Sequence, residues 1–206
     1  MIIPDWSKID RDAEGDYNII GQVAANLKKV EPTDFSAMNR SELLEKMNVI
    51  ANMELIVEIG VENNPDKNLT STSVFLQNKD PDTFYIGVDI LDRSHLNDPS
   101  KNIYTIQGCS EDPETIAKIL QICPKKIDFL FIDGWHSINQ CRQEWNLYTP
   151  HLVGDGIVGF HDTNHHYGPY WLAEYYIDKE VWYVNTFPGI DPMADFGIGF
   201  AWRINC

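Results

Sequence analysis

Two acidic residues and two histidines stand out for where they fall. Asp133 closes the apolar run IDFLFID and His136 follows three residues later; Asp162 closes IVGFHD and His161 directly precedes it. If the two runs are neighbouring strands, about 4.8 Å apart, their tips form one cluster of two carboxylates and two imidazoles. Such a cluster can hold a divalent cation. Carboxylate oxygens suit Mg²⁺ or Mn²⁺, and an imidazole in the set tilts the choice toward Mn²⁺ or another transition metal. A histidine, titrating near pH ~6.5 when unperturbed, can also take a proton at neutral pH. Each residue has a plainer reading as well. Asp133 can cap the helix that starts near Ser137, His136 can be a surface histidine, and His161 can be a buried ring bonded to backbone. His165 and His166 fall in a loop and read as solvated; Trp135 and Trp171 read as pocket wall or core.

The elements that must position this cluster alternate along the chain. SELLEKMNVIANM (41–53) has apolar residues at helical spacing, with Ser41 as N-cap. ELIVEIG (54–60) reads as a buried strand, followed by a polar loop and a helix opening at STSVFLQ. FYIGVDI (84–90) is a second strand ending on Asp89, and NIYTIQG (102–108) a third. Ser110 is placed to cap the helix EDPETIAKILQI, where Pro113 is tolerable in the first turn. IDFLFIDG is the fourth strand, and Ile138, Cys141, Trp145 and Tyr148 mark the next helix, which Pro150 ends. Gly154-Asp155-Gly156 turns the chain into a fifth strand, IVGFHD, and Pro169 opens a helix before YWLAEYYIDKE. VWYVNTF (181–187) and FGIGFAWRI (196–204) are a last pair of strands, joined by a loop and expected antiparallel at one edge. Continuously apolar strands alternating with helices predict an α/β sheet, mostly parallel and covered on both faces.

In such sheets, ligands bind beyond the carboxyl ends of the strands. Polar residues stand at five successive ends: Glu58 and Gly60, then Asp89, then Gly108-Cys109-Ser110, then Asp133, then Asp162. A carboxylate ending the second strand can accept both hydroxyls of a ribose, which is the role read for Asp89; a solvated loop acid is its plainer reading. A nicotinamide site would want G-x-G-x-x-G after the first strand, where this chain has GVENNPDKNLTS with one glycine, and no phosphate-binding G-x-x-x-x-G-K-[ST] occurs.

Charge narrows the partners. Lys plus Arg total 16 against 31 Asp plus Glu, a formal net charge of −15. That surface repels phosphate backbones and anionic lipids, so nucleic acid and membranes are not the expected partners. No stretch approaches the ~20 apolar residues of a membrane span, and the start MIIPDWSKID lacks the features of a signal peptide. Cys109, Cys123, Cys141 and Cys206 have no C-x-x-C spacing and read as free thiols of a cytoplasmic protein. Residues 1–40 are polar and irregular, with a short helix expected at Asn18–Leu27, and are expected to be an N-terminal extension to a domain spanning 41–206.

Glu58-Ile59-Gly60, Asp89, the Gly108-Cys109-Ser110 turn, FIDGWHS and GFHDT, in this order, resemble class I S-adenosylmethionine-dependent methyltransferases. Within them the sequence is similar to the metal-dependent small-molecule O-methyltransferases of macrolide, sugar and cephalosporin pathways. The resemblance covers about residues 41–204 (boundaries good to roughly ±2–4 residues), and it is most specific in I-D-G-x-H followed by G-x-H-D-T. It departs in the loop Val61–Thr70, which is longer, more polar and poorer in glycine. The resemblance implies a Rossmann-like, seven-stranded, mostly parallel sheet with an antiparallel C-terminal edge strand. It implies that Glu58 and Gly60 line the methionine end of S-adenosylmethionine, Asp89 its ribose, and Cys109 and Ser110 its adenine, with Asp133 also at the cofactor. Asp133, His161 and Asp162 would bind Mg²⁺ or Mn²⁺, and His136 would be the general base for methylating a hydroxyl of a small molecule, in a chain that can form homo-oligomers. Two alternatives stay open at this point. One is a metal-dependent hydrolase or oxygenase using Asp133, His136, His161 and Asp162; the other is a methyltransferase-like binding protein without turnover.

Overall fold

Strand β1 (Leu55–Ile59) is buried at every position, and its alternation divides the core in two. Leu55, Val57 and Ile59 face one layer, which continues through Ile86, Val88, Leu130, Ile132, Val158 and the helix residues Ile119, Cys141, Trp145 and Tyr148. Ile56 faces the other, built from Phe75, Tyr85, Phe129, Phe131 and Phe200. An apolar strand of this kind can be satisfied only in a sheet covered on both faces. The computed structural model describes residues 10–13, 53–62, 70–163, 165–187 and 197–204. The helices expected at 18–27 and 41–53, and most of the loop after Gly60, lie outside the described residues.

The chain continues through α1 (Ser71–Asn78), β2 (Phe84–Asp89), β3 (Ile103–Gln107), α2 (Pro113–Ile122), β4 (Ile127–Ile132) and α3 (Ile138–Tyr148). Then come β5 (Leu152–His161), α4 (Tyr167–Trp171) running on into a π-helical turn at Leu172–Tyr176, β6 (Trp182–Phe187) and β7 (Ile198–Arg203). The sheet order is β3-β2-β1-β4-β5-β7-β6. Strands β1 to β5 pair in parallel, and β7 pairs antiparallel with both β5 and β6. This is the expected seven-stranded Rossmann-like architecture. The antiparallel C-terminal strand enters one place in from the edge, between β5 and β6.

Three local details differ from the sequence expectation. β5 begins at Leu152 and runs through Gly154-Asp155-Gly156, which the sequence marks as a turn. A register shift absorbs the extra residues: Ile127 faces Leu152, but Phe129 already faces Ile157. The N-cap of α2 is Asp112, which accepts from the Glu114 N–H, and Pro113 follows at the first helical position; Ser110 is left for other bonds. Ser137 caps α3 by accepting from the Gln140 N–H at 3.1 Å, so the cap role is filled without Asp133.

Register sets the rim of the sheet. Ile59 pairs with Val88 and with Ile132, Asp89 with Gln107, and Ile132 with Phe160. One residue further out, Gly60 therefore stands beside Asp89 on one side and Asp133 on the other, and Asp133 stands beside His161. The sheet order reverses between β1 and β4, and ligand crevices form at such a switch point.

Candidate active site

Gly60 lets two strand tips close on each other. Its φ is +82°, and a Cβ there would sit 2.0 Å from the Asp133 carbonyl oxygen. Only glycine tolerates both the angle and the approach. The Asp133 N–H donates to Ile59 O at 2.8 Å and the Gly60 N–H to Val88 O at 2.9 Å, so three tips are tied at this point.

Beyond this knot lies a cavity of about 420 Å³, bordered by Gly60, Asp89, Cys109, Ser110, Asp133, Trp135 and Gln140 among others. A smaller space of about 250 Å³ continues past Gly60 between Val61, Ser71, Asp89 and Asp133. The larger space has the size of a small-ligand cleft, typically ~300–1,000 Å³. Ile90, Leu91 and Trp135 stand at the larger cavity with 69%, 55% and 50% of their surfaces exposed. These three large apolar groups give the cavity an exposed apolar border. The sequence signal for two of them was an apolar pair placed directly after a strand-terminal acid.

Asp89 joins the loops on either side of the cleft. Its Oδ2 accepts from the Val61 N–H (3.0 Å) and the Arg93 Nε–H (3.2 Å), and its Oδ1 from the Leu91 N–H (2.8 Å). Ser110 is buried and donates to Glu144 Oε1 at 2.5 Å, while Cys109 is exposed at the cavity. Glu58 differs from the rest: it does not line the cleft. It is fully buried, and its carboxyl accepts from Ser71 Oγ (2.5 Å), Thr72 Oγ1 (2.9 Å) and the Tyr85 hydroxyl. Burial pushes its pKa up to about 7 against the pull of those three donors. Glu58 thus anchors the start of α1 to β1 and β2 from behind the cleft.

The acid–histidine cluster forms as expected, with one more member. His161 Nδ1 lies 3.1 Å from Asp133 Oδ1 and 2.8 Å from Asp162 Oδ1. His136 Nδ1 lies 3.2 Å from Asp162 Oδ2, and its Nε2 3.6 Å from Asp133 Oδ1. Asp162 serves both rings, one oxygen each. It can do so because its φ of +60° breaks the alternation that would send neighbouring strand residues to opposite faces. Aspartate is among the few residues that adopt this conformation at modest cost.

The added member is His166. The sequence marks it as a solvated loop residue; it is 9% exposed and its ring stacks on His136, centroids 4.7 Å apart and planes within 12°. Gly168 makes this possible: its N–H donates to His136 O, and a Cβ would lie 2.4 Å from that oxygen.

His161 Nδ1 is separated from Asp133 Oδ1 and from Asp162 Oδ1 like adjacent ligands of one cation, which stand about 3.0 Å apart when metal bonds are about 2.1 Å, and the three residues offer ligand atoms within 4.8 Å of one another. His136, Asp162 and His166 also lie close enough to form a set. There the geometry is poor, because imidazole lone pairs lie in the ring plane and two nearly parallel planes do not converge on one ion. The donor chemistry of the first set fits a divalent cation, and its nitrogen favours Mn²⁺ or a later metal over Mg²⁺. In the chain without metal, burial lowers the His136 pKa, but bonding to Asp133 and the charges of Asp162 and Asp133 outweigh it and the net shift is upward. Burial works against ionisation of Asp162 too, yet His161 and His136 hold its pKa below the usual carboxylate value.

Residues 10–13 lie against this region. The Trp135 indole donates to Asp12 O, the Asn139 N–H to Arg11 O, and the Arg11 guanidinium sits 5.0 Å from the Trp171 ring centre.

A model of the methyltransferase domain family matches residues 60–163, half of the chain. Among solved structures, the O-methyltransferase from Bacillus cereus in complex with SAH is 14% identical over 89% of this chain and 88% of that one, with a TM-score of 0.59. A putative rRNA-methylase from Clostridium thermocellum is 12% identical over 80% and 94%, with a TM-score of 0.56. MycE methyltransferase from the mycinamycin biosynthetic pathway, in complex with Mg and SAH, is 25% identical over 60% of this chain, with a TM-score of 0.45. The chain spans only 30% of that protein's chain. No curated protein matches the sequence. Among the described residues, no helix is long and apolar enough to cross a membrane.

Proposed function

The chain belongs to the methyltransferase domain family, and from that premise we propose that it is a divalent-metal-assisted, S-adenosylmethionine-dependent O-methyltransferase acting on a small-molecule hydroxyl. The observation that carries the reading is the double position of Asp133. It borders both spaces of the nucleoside-sized cleft and also contacts His161 and His136, so the cleft and the acid–histidine cluster share a wall. A donor site and an acceptor site for group transfer must adjoin in this way.

In this reading, Asp89 receives the ribose hydroxyls, Gly60 lets the chain pass close to the methionine portion, and Cys109 and Ser110 border the adenine. The cofactor would supply a methyl group on a positively charged sulfur. Asp133, His161 and Asp162 would hold the cation, whose chemistry is to lower the pKa of the hydroxyl to be methylated. His136 is the proton acceptor. With its Nδ1–H donating to Asp162 Oδ2, its Nε2 carries the basic lone pair. Asp162 fixes that tautomer much as an acid orients a catalytic histidine elsewhere. The stacked His166 ring limits rotation of His136. The substrate is proposed to be a sugar, polyketide or diol-like molecule, since a formal net charge of −15 disfavours polyanionic acceptors.

Calorimetric titration with S-adenosylhomocysteine, with and without Mn²⁺ or Mg²⁺, tests the reading. Micromolar binding supports it. Absence of binding at millimolar ligand refutes it, and a metal affinity surviving without cofactor binding would point to metal-only chemistry at the same cluster.

A further inference from the structure

The loop that follows Gly60 carries no further glycine through Thr70, yet its first residues, Val61 and Glu62, border the smaller space beside Asp89 and Asp133. A backbone without glycine must be held there by other groups. Val61 is held twice. Its N–H donates to Asp89 Oδ2 at 3.0 Å, and its buried side chain lies over Gly87 of β2, where a Cβ would come within 2.7 Å of Val61 Cγ2. A glycine in the neighbouring strand thus supplies the room for this close approach. Glu62 is held from a helix: its N–H donates to Thr72 Oγ1 at 3.0 Å.

Thr72 lies in the first turn of α1 and is fully buried. Its hydroxyl hydrogen goes to Glu58 Oε2 at 2.9 Å. A hydroxyl has one hydrogen and two lone pairs, so with the hydrogen committed to the carboxyl, Thr72 Oγ1 faces Glu62 as an acceptor. Glu58 is fixed in turn by Ser71 Oγ and the Tyr85 hydroxyl. A chain of bonds therefore runs from the buried Glu58 of β1, through the Thr72 hydroxyl, to the Glu62 backbone at the rim of the smaller space. Ser71, next to Thr72, borders the same space. Removing the Thr72 hydroxyl breaks this chain at its middle link and leaves the start of the loop with the Val61 anchors.

We propose that Thr72 is a positioning residue for the amino-acid end of the cofactor: by accepting from the Glu62 N–H it fixes the start of the loop as a wall of the smaller space. The inference rests on the reading above, in which the cofactor occupies this cleft with its methionine portion at Gly60. It goes beyond that reading by naming a residue behind the wall that shapes one end of the cleft. It also states which half of the ligand responds to the loss of that residue, since the nucleoside half lies at the larger cavity, bordered by Ile90, Leu91, Cys109 and Trp135.

The experiment compares S-adenosylhomocysteine with 5′-deoxy-5′-methylthioadenosine, the same thioether nucleoside without the amino-acid chain, by calorimetry on the full chain. Thr72→Val keeps the shape and removes the hydroxyl. It is expected to weaken S-adenosylhomocysteine by about three- to tenfold, the range for one lost hydrogen bond, and to leave methylthioadenosine within about twofold of the parent. Thr72→Ser keeps the hydroxyl and is expected to restore the parent ratio. Thr72→Ala carries the same expectation as Thr72→Val and serves if that variant does not fold. A merely structural Thr72 would weaken both ligands equally, which overturns the proposal, as does unchanged affinity for both. A Thr72→Ser chain with the ratio of Thr72→Val also overturns it, because the hydroxyl is then not the cause. Failure of the intact protein to bind S-adenosylhomocysteine refutes the cofactor reading itself.

Discussion

A carboxyl group enclosed between a strand and a helix start ionises less readily than one in water, and Glu58 makes that difference measurable. Its pKa rises from 4.5 to about 7 on burial, so the folded chain keeps a proton that the unfolded chain releases from about pH 4.5 upward. Stability therefore falls as pH rises between those two values, and the full penalty stands above the higher one. At about 1.36 kcal/mol per pH unit the full penalty is about 3 kcal/mol, most of which develops between pH 5 and pH 8.5. Glu58→Gln removes the titration while keeping the shape. It exchanges one carboxyl oxygen for an amide nitrogen among Ser71, Thr72 and Tyr85, which costs about 1 kcal/mol at any pH. The variant is thus expected to be slightly less stable than the parent at pH 5 and more stable at pH 8.5. Urea denaturation followed by tryptophan fluorescence resolves this, because a change of about 2 kcal/mol is a midpoint change of about 1 M at a slope of about 2 kcal/mol/M. Every other titrating group is common to both chains and cancels in the difference. Parallel stability curves, with no crossing over this range, would refute the claim that Glu58 is held protonated by burial.

The remaining expectations concern the cleft and the cluster. Asp89→Ala should weaken S-adenosylhomocysteine binding by about tenfold or more, since it removes a charged acceptor and releases the Val61 and Leu91 N–H groups; unchanged affinity by calorimetry would remove the ribose role. Asp162→Ala should reduce Mn²⁺ affinity by about 100-fold, read by calorimetry or by Mn²⁺ electron paramagnetic resonance, because it takes away a ligand and the partner of His161 and His136. Once an acceptor is in hand, His136→Ala should lower turnover by about 10²–10⁴ with cofactor binding intact; full turnover would dismiss it as the base. Gly60→Ala should destabilise the fold by about 3 kcal/mol or more in the same urea assay, since strain at positive φ adds to a clash with the Asp133 backbone.

Much of this molecule follows from local sequence pattern. Continuous apolar runs such as LIVEI and FLFI can be satisfied only inside a two-sided sheet, so the alternating strands and helices, the parallel core and the antiparallel C-terminal pair are legible without coordinates. The polar strand ends Asp89, Asp133 and Asp162 are legible too, because an acid after an apolar run has no packing purpose. What the sequence could not decide depends on neighbours distant along the chain. Glu58 sits at a strand tip, like Asp89, yet α1 closes over it and three hydroxyls enclose it, so it supports the cleft from behind. His166 looks like a loop residue until Gly168 brings α4 against His136. Glu144 reads as an ordinary helix acid until β3 delivers Ser110 to it. The opening pair of acids and histidines was visible as types and spacing, but their union required two things that only tertiary structure fixes. One is the β4–β5 register that sets Asp133 beside His161; the other is the left-handed turn at Asp162 that swings its carboxylate back between the two rings. Hydrophobic pattern determines which face of a strand is buried. Register and backbone handedness determine which tips meet, and those are settled by packing over the whole sheet.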